Sequence, residues 1–86
     1  MIGKKCFISH GVVFVNDLAK DGKVNRNSKQ FKKTIIGNNV TIGSNATILP
    51  VNISNHVVVG AGSVVTKNLN IKGIYAGNPA KLIRKL

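Results

Sequence analysis

Aliphatic residues return every six positions along most of this 86-residue chain. Ile36, Ile42 and Ile48 are six apart; after a step of five come Ile53, Val59, Val65 and Ile71, again six apart. Ile2, Ile8 and Phe14 carry the same spacing near the start. Four residues after most of these leading aliphatics stands a small or β-branched residue: Cys6, Val12, Val40, Ala46, Val57 and Ser63. A strict six matches neither the helical period nor simple alternation. It is self-similarity at a fixed period, the mark of a repeat architecture. Each unit is long enough for one short strand and a turn, and three units close one coil of a triangular prism. The leading Ile or Val then points inward and stacks on its equivalent in the next coil. The step of five at Leu49-Pro50-Val51-Asn52 reads as one trimmed corner.

Composition agrees with an all-β chain. There are 10 Ile, 11 Val, 9 Gly and 11 Asn, but only three Phe, one Tyr and no Trp. β-Branched residues favour strands, and Gly and Asn supply the left-handed conformations that tight corners need. The length allows one domain, 1–86. Residues 1–17 give a first coil. Residues 18–33 break the period and carry Lys20, Lys23, Arg26, Lys29, Lys32 and Lys33 against Asp21, so they are expected to leave the prism as a basic loop. Residues 34–73 resume it, for about three coils in all. In the tail, 74–86, Asn78-Pro79 has the form of a helix start, predicting a short helix over Pro79 to Leu86 that covers the open end.

Thirteen Lys and Arg against two acidic residues give a net charge of +11, which predicts an anionic partner. The aromatics are scattered and no nucleic-acid-binding motif appears, so a phosphate-rich small ligand is favoured over nucleic acid. No apolar run approaches the ~18 residues of a membrane span. Met1-Ile2-Gly3-Lys4-Lys5 has no apolar leader core, and a single cysteine fits a reducing compartment, so a cytoplasmic location is expected. His10 and His56 are too few for a three-histidine zinc site, and no metal is expected.

The stretches Ile36-Gly-Asn-Asn-Val-Thr-Ile-Gly-Ser-Asn-Ala-Thr-Ile-Leu-Pro, Val59-Gly-Ala-Gly-Ser-Val-Val-Thr-Lys and Ala76-Gly-Asn-Pro-Ala-Lys-Leu-Ile-Arg resemble the hexapeptide-repeat acyltransferases. The resemblance covers almost the whole chain, and the last stretch is similar to the ending of that family's sugar and small-molecule acetyltransferases. It implies a left-handed parallel β-helix, a homotrimer with prisms side by side, and acetyl-CoA as acetyl donor. The pantetheine arm would then follow a groove between prisms. Carried over by position, Ser44 and Ala61 line that groove, Thr66 and Lys67 lie further along it, and Lys81 and Arg84 meet the phosphates of the adenosine end.

Many family members place a His just before the protruding loop, where this chain has Phe14-Val15-Asn16-Asp17. An Asn-Asp pair there resembles the branch that acetylates amino sugars on nucleotides. Asn16 and Asp17 are therefore candidates for orienting the acceptor amine, with the start of a loop as their alternative role. His10 is a candidate base reaching a neighbouring subunit's site, or else a surface residue. His56 reads as a surface corner, and Cys6, in the small inward position, as a buried and unreactive thiol. The resulting expectation is a trimeric, acetyl-CoA-dependent N-acetyltransferase acting on a nucleotide-linked amino sugar by direct attack in a ternary complex. The alternatives are O-acetylation of a sugar or serine hydroxyl, and an inactive, shortened β-helix.

Overall fold

The computed structural model describes residues 1–15 and 33–86. Asn16, Asp17 and the basic segment up to position 32 lie outside the described residues. Ten strands follow in order: β1 (Phe7–Ile8), β2 (Val13–Phe14), β3 (Ile35–Ile36), β4 (Thr41–Ile42), β5 (Thr47–Ile48), β6 (Asn52–Ile53), β7 (Val57–Val59), β8 (Val64–Val65), β9 (Gly73–Gly77) and β10 (Ala80–Lys85). They form three faces. Face a pairs β3 with β6, extended by bridges from Ile2 to Ile36 and from Ile53 to Leu69. Face b runs β1-β4-β7-β9-β10, and face c runs β2-β5-β8. All pairings are parallel except β9 with β10. The chain visits a, b and c in turn and then repeats, so each face gains one strand per pass.

The expected register holds through the centre. Ile36 pairs with Ile53, Ile42 with Val59 and Ile48 with Val65, each one residue short of three sixes. The shortening falls at Leu49–Asn52, as the step of five requires. The leading residues Ile36, Ile42, Ile48, Ile53, Val59 and Val65 are all buried, and so are the small partners Val40, Ala46, Val57 and Ser63. A coil made of two-residue strands has little else to bury, so core and repeat are one list. Cys6 points inward as expected but is only half-buried, with its thiol 3.1 Å from the Gly37 carbonyl.

The edges are made by a second regularity. The third residue after the leading aliphatic has positive φ at Lys5, Gly11, Asn39, Asn45, His56 and Gly62. Its N–H donates to a carbonyl of the coil below: Asn39 to Lys4, Asn45 to His10, His56 to Asn38 and Gly62 to Ser44, all at 2.9–3.0 Å. The left-handed turn thus redirects the chain onto the next face and keeps its amide satisfied. Asn side chains extend the ladder, the Asn38 Oδ1 accepting from the Lys4 N–H and the Asn68 Oδ1 from the Asn52 N–H.

Two expectations fail beyond Val65. The inward position of face a is taken by Leu69, four residues on, and not by Ile71. Leu69 is 4% exposed and bridges Ile53, whereas Ile71 is 47% exposed. The corner shortens again because Asn68 is needed opposite Asn52. Tyr75 then fills the face b core and its hydroxyl donates to the Ile71 carbonyl. The second failure is the terminal helix. Ala80–Lys85 is a strand, joined to β9 by a two-residue turn at Asn78-Pro79. An isolated helix of that length is marginal, while β9 would otherwise leave a row of open backbone groups at the end of face b. β10 fills them, and Leu82, opposite Tyr75, packs against the core.

Candidate functional site

Stacked coils turn equivalent repeat positions into columns. Along edge bc, between faces b and c, the second residue after each leading aliphatic is His10, Ser44 and then Ala61, one above the other. The backbone ladder fixes this: the His10 carbonyl accepts from Asn45 and the Ser44 carbonyl from Gly62. Three residues expected to serve a reaction are thereby brought to one edge, at about 4.8 Å per rung. His10 and Ala61 are exposed and Ser44 is half-buried.

The edge is narrow because its flanking positions are small. A Cβ built on Gly43 would stand 2.5 Å from the Ala61 nitrogen, so only glycine fits between these coils. Gly60 follows Gly43 on the next rung and lies against Ala76. The column ends at the hairpin turn, where the Gly77 N–H donates to the Ser63 hydroxyl at 3.2 Å. Ser63 is a site-shaping residue that sequence reasoning treated only as a small core position. The signal was there: a hydroxyl in an inward series otherwise filled by Val, Ala and Cys.

β10 carries three cations, Lys81, Arg84 and Lys85, of which the first two are the expected coenzyme residues. Lys81 lies opposite Ala76, at the edge bc end of face b. A register shift between Leu82 and Arg84 sets Arg84 opposite Ile74, on the outer side of the same face. Both side chains are exposed. Thr66 and Lys67 are exposed as well, but they follow β8 and so stand on edge ca, across face c from the His10 column. Within one chain the expected coenzyme residues therefore divide between two edges. No cluster of three potential metal ligands occurs among the described residues. A cavity of about 340 Å³ opens at the other end of the prism, lined by Met1, Ile2, Phe14, Val15, Lys33, Thr34 and Ile36. It is mostly hydrocarbon and remote from the column.

Residues 33–67 match the family model described as the hexapeptide repeat of succinyl-transferase. The chain is 40% identical to the probable macrolide acetyltransferase of Lysinibacillus sphaericus, over 106 aligned residues that cover 99% of this chain and 59% of that one. Among solved structures it superposes on the polysialic acid O-acetyltransferase OatWY with a TM-score of 0.81 and 37% identity, covering 98% of this chain and 42% of that one. The chain carries that hexapeptide repeat and is similar along nearly its whole length to acetyltransferases. A variant of AntD, an N-acyltransferase from Bacillus cereus solved with dTDP and coenzyme A, matches with a TM-score of 0.75 at 27% identity, covering 98% and 52% of the two chains. The likeness to solved family members implies that the prism is a left-handed β-helix. This hexapeptide-repeat chain spans 59% of the length of that macrolide acetyltransferase and 42–52% of the two solved acyltransferases.

Proposed function

We propose that this chain is the acetyl-CoA-binding β-helix of an acetyltransferase, and that its acceptor is an amino group on a nucleotide-linked sugar. The observation that carries the reading is the edge bc column: His10, Ser44 and Ala61 on successive rungs, with glycine at Gly43 and Gly60 beside them and Lys81 at its end. A thin, flexible pantetheine arm needs backbone it can approach closely, and phosphates need cations at one end of it. Ser44 and Ala61 offer the first. Lys81 and Arg84 offer the second.

A prism-side-by-side homotrimer supports the same reading. Thr66 and Lys67 on edge ca belong to the coenzyme groove only if a neighbouring prism brings its edge bc alongside. The outward residues Phe7 and Val13 are 65% and 54% exposed, which suits burial between prisms. Acetyl-CoA supplies the thioester. The acceptor nitrogen attacks its carbonyl, the N–C bond forms as the C–S bond breaks, and the thiolate leaves with the proton that the amine gives up. His10, exposed on the edge, is the candidate carrier of that proton, and Asn16 and Asp17 are the candidates for orienting the amine. No acyl-enzyme is needed, and Cys6, half-buried and bonded to the Gly37 carbonyl, has no role as a nucleophile.

The complexes of AntD variants with coenzyme A and dTDP, and with coenzyme A and a dTDP-linked amino sugar, support an amine acceptor. The galactoside O-acetyltransferase of Escherichia coli and the polysialic acid O-acetyltransferase OatWY support the second reading, a hydroxyl acceptor. The test is thiol release from acetyl-CoA with matched nucleotide-linked sugars bearing an amino or a hydroxyl group at the same carbon. Faster release with the amino sugar is expected. Release only with hydroxyl acceptors would replace the proposed acceptor, and release with neither would remove the activity.

A further inference from the structure

The described residues contain eight Lys and Arg side chains and no Asp or Glu, since Asp17 and Asp21 both fall among positions 16–32. Those cations are not spread evenly. Edge bc has only Lys81 at its end, and edge ca has Lys33 and Lys67. Edge ab, between faces a and b, has Lys4 and Lys5 on its first rung, Lys72 on its fourth and Lys85 beyond, with His56 between them on the third; Arg84 stands on the outer side of face b.

The register puts them in line. Phe7 pairs with Thr41 and Thr41 with Val58, so Lys5, Asn39 and His56, each two residues earlier, stack on successive rungs. Val57 pairs with Gly73, which levels His56 with Lys72. Gly73 in turn pairs with Lys85. The left-handed turns at Lys5, Asn39 and His56 make this edge convex and hold those side chains exposed. From Lys5 to Lys72 is three rungs, about 14 Å. That exceeds the Debye length of about 8 Å at physiological salt, so only a ligand long enough to span the edge meets Lys5 and Lys72 together. Asn38, Asn39 and Asn55 on the same edge are exposed; the Oδ1 atoms of Asn38 and Asn55 accept from the Lys4 and Asn38 N–H groups, which leaves their NH2 groups as donors to hydroxyl and carboxylate oxygens.

We propose that edge ab is a binding surface for an acidic polysaccharide, laid along the prism axis across successive coils. The row is single file on a convex edge, which suits a linear chain and gives a flat membrane few simultaneous contacts. It offers charge and amides and has no aromatic side chain at its corner positions for stacking bases, as single-stranded nucleic acid would require. A second copy of the chain is a poor occupant, because two such rows would repel.

The test is fluorescence anisotropy of the full chain with a labelled, fully sulfated heparin octasaccharide, repeated from low to physiological salt. Expected are saturable binding and a loss of at least tenfold in affinity for the double substitution Lys5→Gln with Lys72→Gln. The salt slope should fall by more than one for that pair. Removing two cations from edge ca instead, by Lys33→Gln with Lys67→Gln, should cost less than threefold. Circular dichroism melts show that both proteins are folded. Equal losses from the two pairs would overturn the proposal, because binding would then follow net charge and not the edge. So would tighter binding to a single-stranded oligonucleotide or to anionic phosphatidylserine vesicles than to the glycan under the same salt.

Discussion

At edges ab and bc one residue per pass takes a left-handed conformation, and its identity decides what that edge can do. Asn45 has φ of 63° while its N–H holds the coil below through the His10 carbonyl. A β-branched side chain pays a penalty there of roughly 1–2 kcal/mol, and glycine does not. Asn45→Val is therefore expected to lower the urea midpoint clearly, with Asn45→Gly close to wild type. Inward positions answer to packing instead. Ile42 is fully buried between the coils above and below, so Ile42→Ala should destabilise by about 2–5 kcal/mol in the same titration. Both kinds of residue were legible in the sequence, because each is a demand of one unit on itself: an apolar side chain every six residues, and Gly or Asn at a corner. Lys5 and His56 at the same positions were not legible as left-handed, since neither residue type favours that conformation. For His56 the explanation is its N–H, which donates to the Asn38 carbonyl of the coil below.

Among elements, β10 departs most from expectation. Its sequence reads as a capped helix, and its surroundings make it a strand. Local signals at Asn78-Pro79 carry no information about an open sheet edge that exists only once face b has gained its fourth strand, β9. The same holds for the exchange of Leu69 for Ile71, which is decided by Asn68 meeting Asn52 one coil away. The hairpin matters for function through two contacts. The Ser63 hydroxyl accepts from the Gly77 N–H and anchors the turn at the end of the edge bc column. Ser63→Ala should raise the KM for acetyl-CoA more than it changes kcat, with a stability loss of about 1 kcal/mol. Lys81 and Arg84, held by β10, should act together on the phosphates. Replacing both with Ala is expected to raise the KM for acetyl-CoA roughly tenfold or more, in line with charge-assisted hydrogen bonds to phosphate. Truncated donors lacking the nucleotide should lose that sensitivity.

For the whole molecule, the prism is thin. One stack of leading side chains supplies its core, and apolar residues such as Phe7, Val13 and Ile35 remain outside. That imbalance argues for assembly, and sedimentation should find a trimer whose dissociation on dilution is accompanied by unfolding. Side-by-side assembly, as proposed, would also join the candidate site, since one chain divides its expected coenzyme residues between edges bc and ca. The sequence announced the repeat and the residue types of the site, but the division between edges needed the order of the faces. The candidate acceptor residues Asn16 and Asp17 fall outside the described residues, so the coenzyme half carries the account. Its most direct test is a calorimetric titration of the folded protein with acetyl-CoA at moderate salt. The account predicts saturable binding at one site per chain, weakened by replacing Lys81 and Arg84. A folded protein that takes up no acetyl-CoA would contradict it.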